Sequence, residues 1–251
     1  MSEIFSRNIM YWGNDFQEFL TSLNIAVFGL GGVGGYALEA LCRAGVGNFT
    51  LIDFDVVSKS NINRQIIATN STVGLKKTQV FEKRLKEINP EVNLVIFDDF
   101  YDSDKNNEIF SQNFSFVVDA IDTLRAKISL IKYCYNNKIN IVTSFGAGNR
   151  VDAQRLKVSD ISQITSKCAF TKNVLLRLKK EGIETNLPVV WSEERPKSLL
   201  KVKNIEKITK SDGTEIELTK FTPASTPVVP AVSGLLCANY ILNYFLSDFK
   251  K

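Results

Sequence analysis

The sequence predicts an α/β fold: a doubly wound, Rossmann-like, mostly parallel sheet with a C-terminal extension. Three observations carry that prediction. Short apolar runs alternate with helical periodicities through residues 23–144. The first run is followed at once by a glycine-rich turn, Gly29-x-Gly31-x-x-Gly34, tipped into a helix. The second run ends on an acid, Asp53, at about the distance of 20 residues at which a dinucleotide-binding unit places a carboxylate on the ribose.

The elements follow in order. Leu23 to Phe28 is an apolar run, and Ala37, Leu38, Ala40 and Leu41 continue at helical spacing within a pattern spanning 33–44. Phe49-Thr-Leu-Ile-Asp53 is the second strand, 74–88 is helical, and Val92-Asn-Leu-Val-Ile-Phe97 is the third strand. Residues 114–119 and 139–144 are strand-like and flank a helical pattern at 124–136. After Gly148 the alternation loosens. Ala169–Lys180 reads as an amphipathic helix, Pro188–Ser192 as a short strand and 199–221 as a hairpin turning at Ser211-Asp212-Gly213. Pro223–Pro230 introduces a final helix of roughly four turns. Residues 1–148 therefore read as the nucleotide-binding core. Residues 149–251 read as an extension of the same domain that carries substrate-binding elements and the last helix.

Bulk properties set limits on function. At 251 residues and 44% hydrophobic, the chain is long enough for one large α/β domain. A formal charge of +4 would suit a polyanionic partner without demanding one. The first residues lack the apolar core of a signal peptide, and Ala231–Leu246, broken by Asn239 and Asn243, is short for a membrane span. A cytoplasmic protein with no stable membrane insertion is expected. Cys42, Cys134, Cys168 and Cys237 form no C-x-x-C pair, which excludes a four-thiolate zinc site of the usual spacing. Histidine is absent, so imidazole bases, histidine metal sites and histidine triads are excluded.

In a doubly wound sheet, ligands bind beyond the carboxyl ends of the strands, where Gly29–Gly34, Asp53 and Asp122 would converge. Glycines alone could serve close strand–helix packing; with Asp53 they point to phosphate binding. A nicotinamide cofactor fits that far. The stretch that follows, with Asn61, Arg64 and Lys77, fits a different chemistry, because hydride transfer needs no cationic clamp whereas a triphosphate being cleaved does. Asp122, with Asp119 and Thr123 nearby, could hold a hard cation such as Mg2+ or could cap the next helix.

On these residues, Arg7 through Thr143 resembles the superfamily of ATP-dependent adenylating enzymes that includes ubiquitin-activating enzymes and bacterial activators of sulfur-carrier proteins. Within it, the stretches Gly45–Asp55, Ile88-Asn-Pro90, Asp98-Asp-Phe100, Val118–Asp122, Gly146–Asp152, Val189–Pro196 and Pro230–Gly234 look like the tRNA threonylcarbamoyladenosine dehydratase branch. The resemblance implies ATP binding by Gly29, Gly31, Gly32 and Gly34 with Asp53 on the ribose and Asn61 assisting. It implies phosphate contacts from Arg64 and Lys77, Mg2+ on Asp122, and a homodimer in which Arg7 reaches into the partner's site. It further implies a tRNA bearing N6-threonylcarbamoyladenosine as substrate, and makes a monovalent cation (Na+ or K+) in the C-terminal loops and a sulfur-transfer partner plausible companions.

Rival readings remain open at this level. Adenylation of a ubiquitin-like sulfur carrier would give Cys168 a role, which otherwise reads as a passive, half-buried thiol. A non-catalytic ATP-binding scaffold is the other. Cys42, Cys134 and Cys237 fall on apolar helix faces and read as core. Arg150, Arg155, Lys157, Lys172, Arg177, Lys179 and Lys180 make the region after Gly148 basic, either as a solvated face or as a surface for the tRNA backbone.

Overall fold

The computed structural model describes residues 3–249 apart from 167, 199, 201, 210–212 and 214. Two short helices, α1 (Ser6–Trp12) and α2 (Asn14–Ser22), precede β1 (Asn24–Phe28), α3 (Gly34–Ala44), β2 (Asn48–Ile52), α4 (Lys77–Ile88) and β3 (Asn93–Phe97). The one-turn α5 (Asn106–Ile109) leads to β4 (Phe116–Asp119), α6 (Leu124–Asn136) and β5 (Ile141–Ser144). Then come β6 (Leu156–Asp160), α7 (Ala169–Lys180), β7 (Pro188–Ser192), β8 (Val202–Thr209), β9 (Glu215–Thr222) and α8 (Val228–Phe249).

Seven strands form one sheet in the order β3-β2-β1-β4-β5-β7-β6, parallel except where β6 runs against β7. The burial pattern explains the order. Ile25 through Phe28 of β1 are all 0% exposed, as a central strand covered on both faces requires. At the edge, β3 alternates exposed and half-buried residues. The chain reverses its direction of winding between β1 and β4, which opens a crevice at the carboxyl ends of those strands.

The C-terminal part is built into this sheet. β7 pairs with β5 and β6 pairs with β7, while α8 packs along α3. Two expectations need correcting. The final helix has 22 residues, about six turns rather than four, and starts at Val228. Pro230 sits within its first turn, where no backbone N–H is needed, so the proline does not delay the helix. Likewise α4 begins at Lys77; Gly74, at φ 92°, belongs to the preceding turn. By length and composition α8 could cross a membrane, but Cys237, Ala238 and Ile241 on one face are buried in the core.

Helices α1 and α2, and the antiparallel β6, are additions to the sequence-based picture. Phe16 and Leu20 of α2 are fully buried, and Phe16 and Phe19 meet Phe249 at the end of α8 with ring centroids 5.2 and 5.7 Å apart. Both ends of the chain are thereby joined. The expected hairpin is present as β8 and β9; of its turn, Ser211 and Asp212 lie outside the described residues.

Candidate active site

The glycine loop leaves β1 at the switch point. Gly29 adopts φ 87°, and a Cβ there would stand 2.9 Å from the carbonyl oxygen of Ala120, which follows β4; only glycine satisfies both demands. A Cβ on Gly34 would meet the Gly29 carbonyl oxygen at 1.9 Å, so Gly34 lets the loop close on itself at the start of α3. Gly29, Gly31 and Gly32 line a cleft of about 920 Å³, whereas Gly34 lies behind the wall.

Asp53 follows β2 into this cleft. Its carboxylate accepts hydrogen bonds from the backbone N–H of Leu30 (2.6 Å) and of Asp55 (2.8 Å), tying the end of β2 to the glycine loop. Burial holds its pKa above the ordinary carboxylate value, against the pull of Lys77. Lys77, at the start of α4, donates from Nζ to Asp55 Oδ2 at 2.5 Å and lies 3.9 Å from Asp53 Oδ1. Burial disfavours charge on Lys77, yet Asp53, Asp55 and Asp122 outweigh it and keep its pKa raised. The ammonium is therefore a fixed positive charge.

Arg64 follows a 3-10 turn, Lys59–Asn61, donating its backbone N–H to the Asn61 carbonyl at 3.0 Å, while Asn61 Oδ1 accepts from the Ser58 N–H at 3.1 Å. Asn61 thus acts as a turn residue while also forming part of the cleft wall. Arg64 donates from Nη1 to the Ser60 carbonyl (2.8 Å) and to Asn63 Oδ1 (2.9 Å). Burial lowers its pKa and Asp122 opposes the shift, but a guanidinium stays charged regardless. Asp122, on the turn after β4, faces the same space, so two cations and a carboxylate from three separate elements share one cleft. Phe28, Ile52, Phe54, Phe100 and Tyr101 supply an apolar side suited to a nucleobase.

Beneath that turn lies a group the sequence reading did not assign. Lys127, 0% exposed, donates to Asp119 Oδ2 at 2.6 Å, and the Thr143 hydroxyl donates to the same oxygen at 2.6 Å. Asp119 Oδ1 accepts from the Ile121 N–H at 3.0 Å, so this buried network sets the turn that presents Asp122. A signal was present. Lys127 occupies the helical stripe of Leu130, Ile131 and Cys134, a charge on the core face of α6. Asp119 is thereby committed to structure instead of facing a ligand.

Arg7 is not brought to the cleft within its own chain. It is exposed on α1, whose Asn8 donates to the Arg43 carbonyl near the far end of α3. The 11 residues of α3 put about 15 Å between that end and the glycine loop.

A family profile described as the ThiF family matches residues 5–250. The chain belongs to the ThiF family. A curated relative, the tRNA threonylcarbamoyladenosine dehydratase of Bacillus subtilis, is 36% identical over 98% of this chain and 96% of its own length. Crystal structures of the Escherichia coli tRNA N6-threonylcarbamoyladenosine dehydratase in complex with AMP and with ATP superpose on this ThiF-family chain with TM-scores of 0.85 and 0.84, at 31% and 30% identity. Each covers 99% of this chain and 96% of the other. At 98% and 99% of this chain, these matches take in β6–α8 as well as the nucleotide-binding half.

Proposed function

We infer that this chain catalyses the ATP-dependent cyclising dehydration of N6-threonylcarbamoyladenosine at position 37 of tRNA, through an acyl-adenylate. One observation carries the reading: full-length similarity to dehydratases, one solved with ATP, coincides with a cleft in which Arg64 and Lys77 face Asp122 beside a glycine loop. The threonyl carboxylate attacks the α-phosphorus, a carboxyl O–P bond forms, and the bond to pyrophosphate breaks. Arg64 and Lys77 stabilise the departing charge, and both are held in place before substrate arrives. A nitrogen of the same substrate then attacks the activated carbonyl and expels AMP. That nucleophile is already tethered, so its effective concentration is high and no enzyme nucleophile is needed.

The residues fit a Mg2+ ion held largely by substrate. Asp122 offers one carboxylate, and among the described residues no group of three His, Cys, Asp or Glu side chains could hold a metal unaided. Such an ion would add positive charge at the phosphates. A ribose contact for Asp53 fits its place in the cleft, although both carboxylate oxygens also serve backbone amides. A role for Arg7 in the chemistry requires a second copy, and the homodimer is proposed together with that role. A monovalent cation in the C-terminal loops has weaker support, because the Gly146 and Gly148 carbonyls there accept from Arg150. Lys172, Arg177 and Lys180 are exposed along α7 and suit a phosphodiester backbone in the cytosol. Transfer to a sulfur carrier would need a thiol open to a protein partner, and Cys168 is only 7% exposed, which leaves room for small molecules alone.

The test is incubation with ATP, Mg2+ and tRNA carrying the linear modification, followed by mass analysis of the nucleoside. Loss of one water with AMP release supports the dehydratase; AMP formation only with a carrier protein would overturn it. Arg64→Ala should lower kcat by about 10²–10³-fold, the usual effect of deleting one transition-state charge partner.

A further inference from the structure

Cys168 stands at the N-cap of α7, a helix of 12 residues whose first N–H groups have no partner within the helix. Its side chain closes no capping hydrogen bond with them. Beside it is Arg150, 3% exposed and charged. The Nη1 of Arg150 donates to the carbonyls of Gly146 (2.5 Å) and Gly148 (3.0 Å). Its Nε and Nη2 have no hydrogen-bond partner among the described residues. An unpaired buried donor costs about 1–3 kcal/mol, and sulfur is a poor acceptor for it.

The thiol is also set apart electrostatically. Burial raises its pKa, but the Thr171 N–H and the Arg150 charge overcome that and bring it below the ordinary thiol value. The other three cysteines behave oppositely: burial pushes Cys42 and Cys237 to about 12 and moves Cys134 up as well. They serve as internal controls.

We propose that Cys168 is a peroxide-sensitive modification site whose oxidised sulfur is held by the open donor edge of Arg150 and the N-terminus of α7. The Cys168 thiolate attacks one oxygen of hydrogen peroxide; the S–O bond forms and the O–O bond breaks. Sulfur loses two electrons, and the peroxide is reduced to hydroxide, which takes a proton to become water. The new oxygen supplies the acceptor that Arg150 Nε and Nη2 lack. Because Arg150 also grips the loop whose Ala147 and Gly148 line the cleft, the site adjoins the nucleotide-binding wall.

The experiment treats the whole protein with a small excess of hydrogen peroxide, quenches with catalase, denatures, alkylates and maps each cysteine peptide by mass. The expected result is oxygen addition at Cys168 at least tenfold faster than at Cys42, Cys134 or Cys237. Equal rates at the four sites overturn the proposal. Arg150→Gln should slow oxidation of Cys168 about tenfold, with Arg150→Lys recovering part of the rate; no change in either variant overturns it. Should Arg150 variants fail to fold, the wild type decides in denaturant. There the advantage of Cys168 must vanish, and its persistence would place the reactivity in local sequence and overturn the assignment to the fold.

Discussion

A lysine that is 0% exposed is tolerable only with its charge matched, and Lys127 finds that match in Asp119 at 2.6 Å with Thr143 completing the group. Removing one partner leaves the other buried and uncompensated. Lys127→Met should therefore cost about 3–5 kcal/mol and lower the Tm measurably, with Asp119→Asn in the same chain returning part of the loss. Unchanged melting would refute the coupling. Glu39 offers a test in pH. Burial opposes its charge, but the hydrogen bonds and charges of Arg84 and Arg43 win and hold its pKa below the ordinary value. Its contribution to stability is then present above the ordinary carboxylate pKa of about 4.3 and is lost as pH falls through the lower folded value. Denaturant titrations should show wild type exceeding Glu39→Gln near neutrality, with the gap closing in acid.

Among the elements, α8 supports the nucleotide loop from behind α3. A Cβ on Gly234 would lie 2.1 Å from the Val33 carbonyl oxygen and 3.0 Å from the Ala37 nitrogen, so the helix rests directly on the start of α3. Gly234→Ala should destabilise the fold by about 1–3 kcal/mol and weaken ATP binding, as urea unfolding and an ATP titration would show. Unaltered ATP affinity would separate the two elements. The interior strands and α3 were legible because their apolar periodicity and loop glycines are local signals. Helix α2 and strand β6 were not: their stability comes from partners distant in sequence, Phe249 for Phe16 and the whole of β7 for β6. The length of α8 was underestimated because Pro223–Pro230 reads as a lead-in to the helix until the place of Pro230 in the first turn is known.

Over the whole molecule, the placement of Arg7 bears on completion of the site by a second copy. Arg7 sits by the end of α3 remote from the cleft, so a catalytic role must be exerted in trans. Mixing Arg7→Ala with Arg64→Ala, each strongly impaired alone, should regain activity if two copies pair, because a mixed dimer would hold one site with both arginines intact. Rates that stay at the level of the parent variants would remove Arg7 from the chemistry.

The sequence by itself determined the class of the fold and the kind of ligand. Strand periodicity, Gly29-x-Gly31-x-x-Gly34 and the spacing of Asp53 are short-range patterns suited to binding a nucleotide at a helix start. Arg64, Lys77 and Asp122 could be nominated from sequence, but only the tertiary structure decided that they face one cleft, since they lie on three separate elements. The same holds for Arg150 and Cys168, and for Lys127 and Asp119. Burial in a common low-dielectric interior makes each pair interact, and burial is a property of packing that linear spacing does not carry.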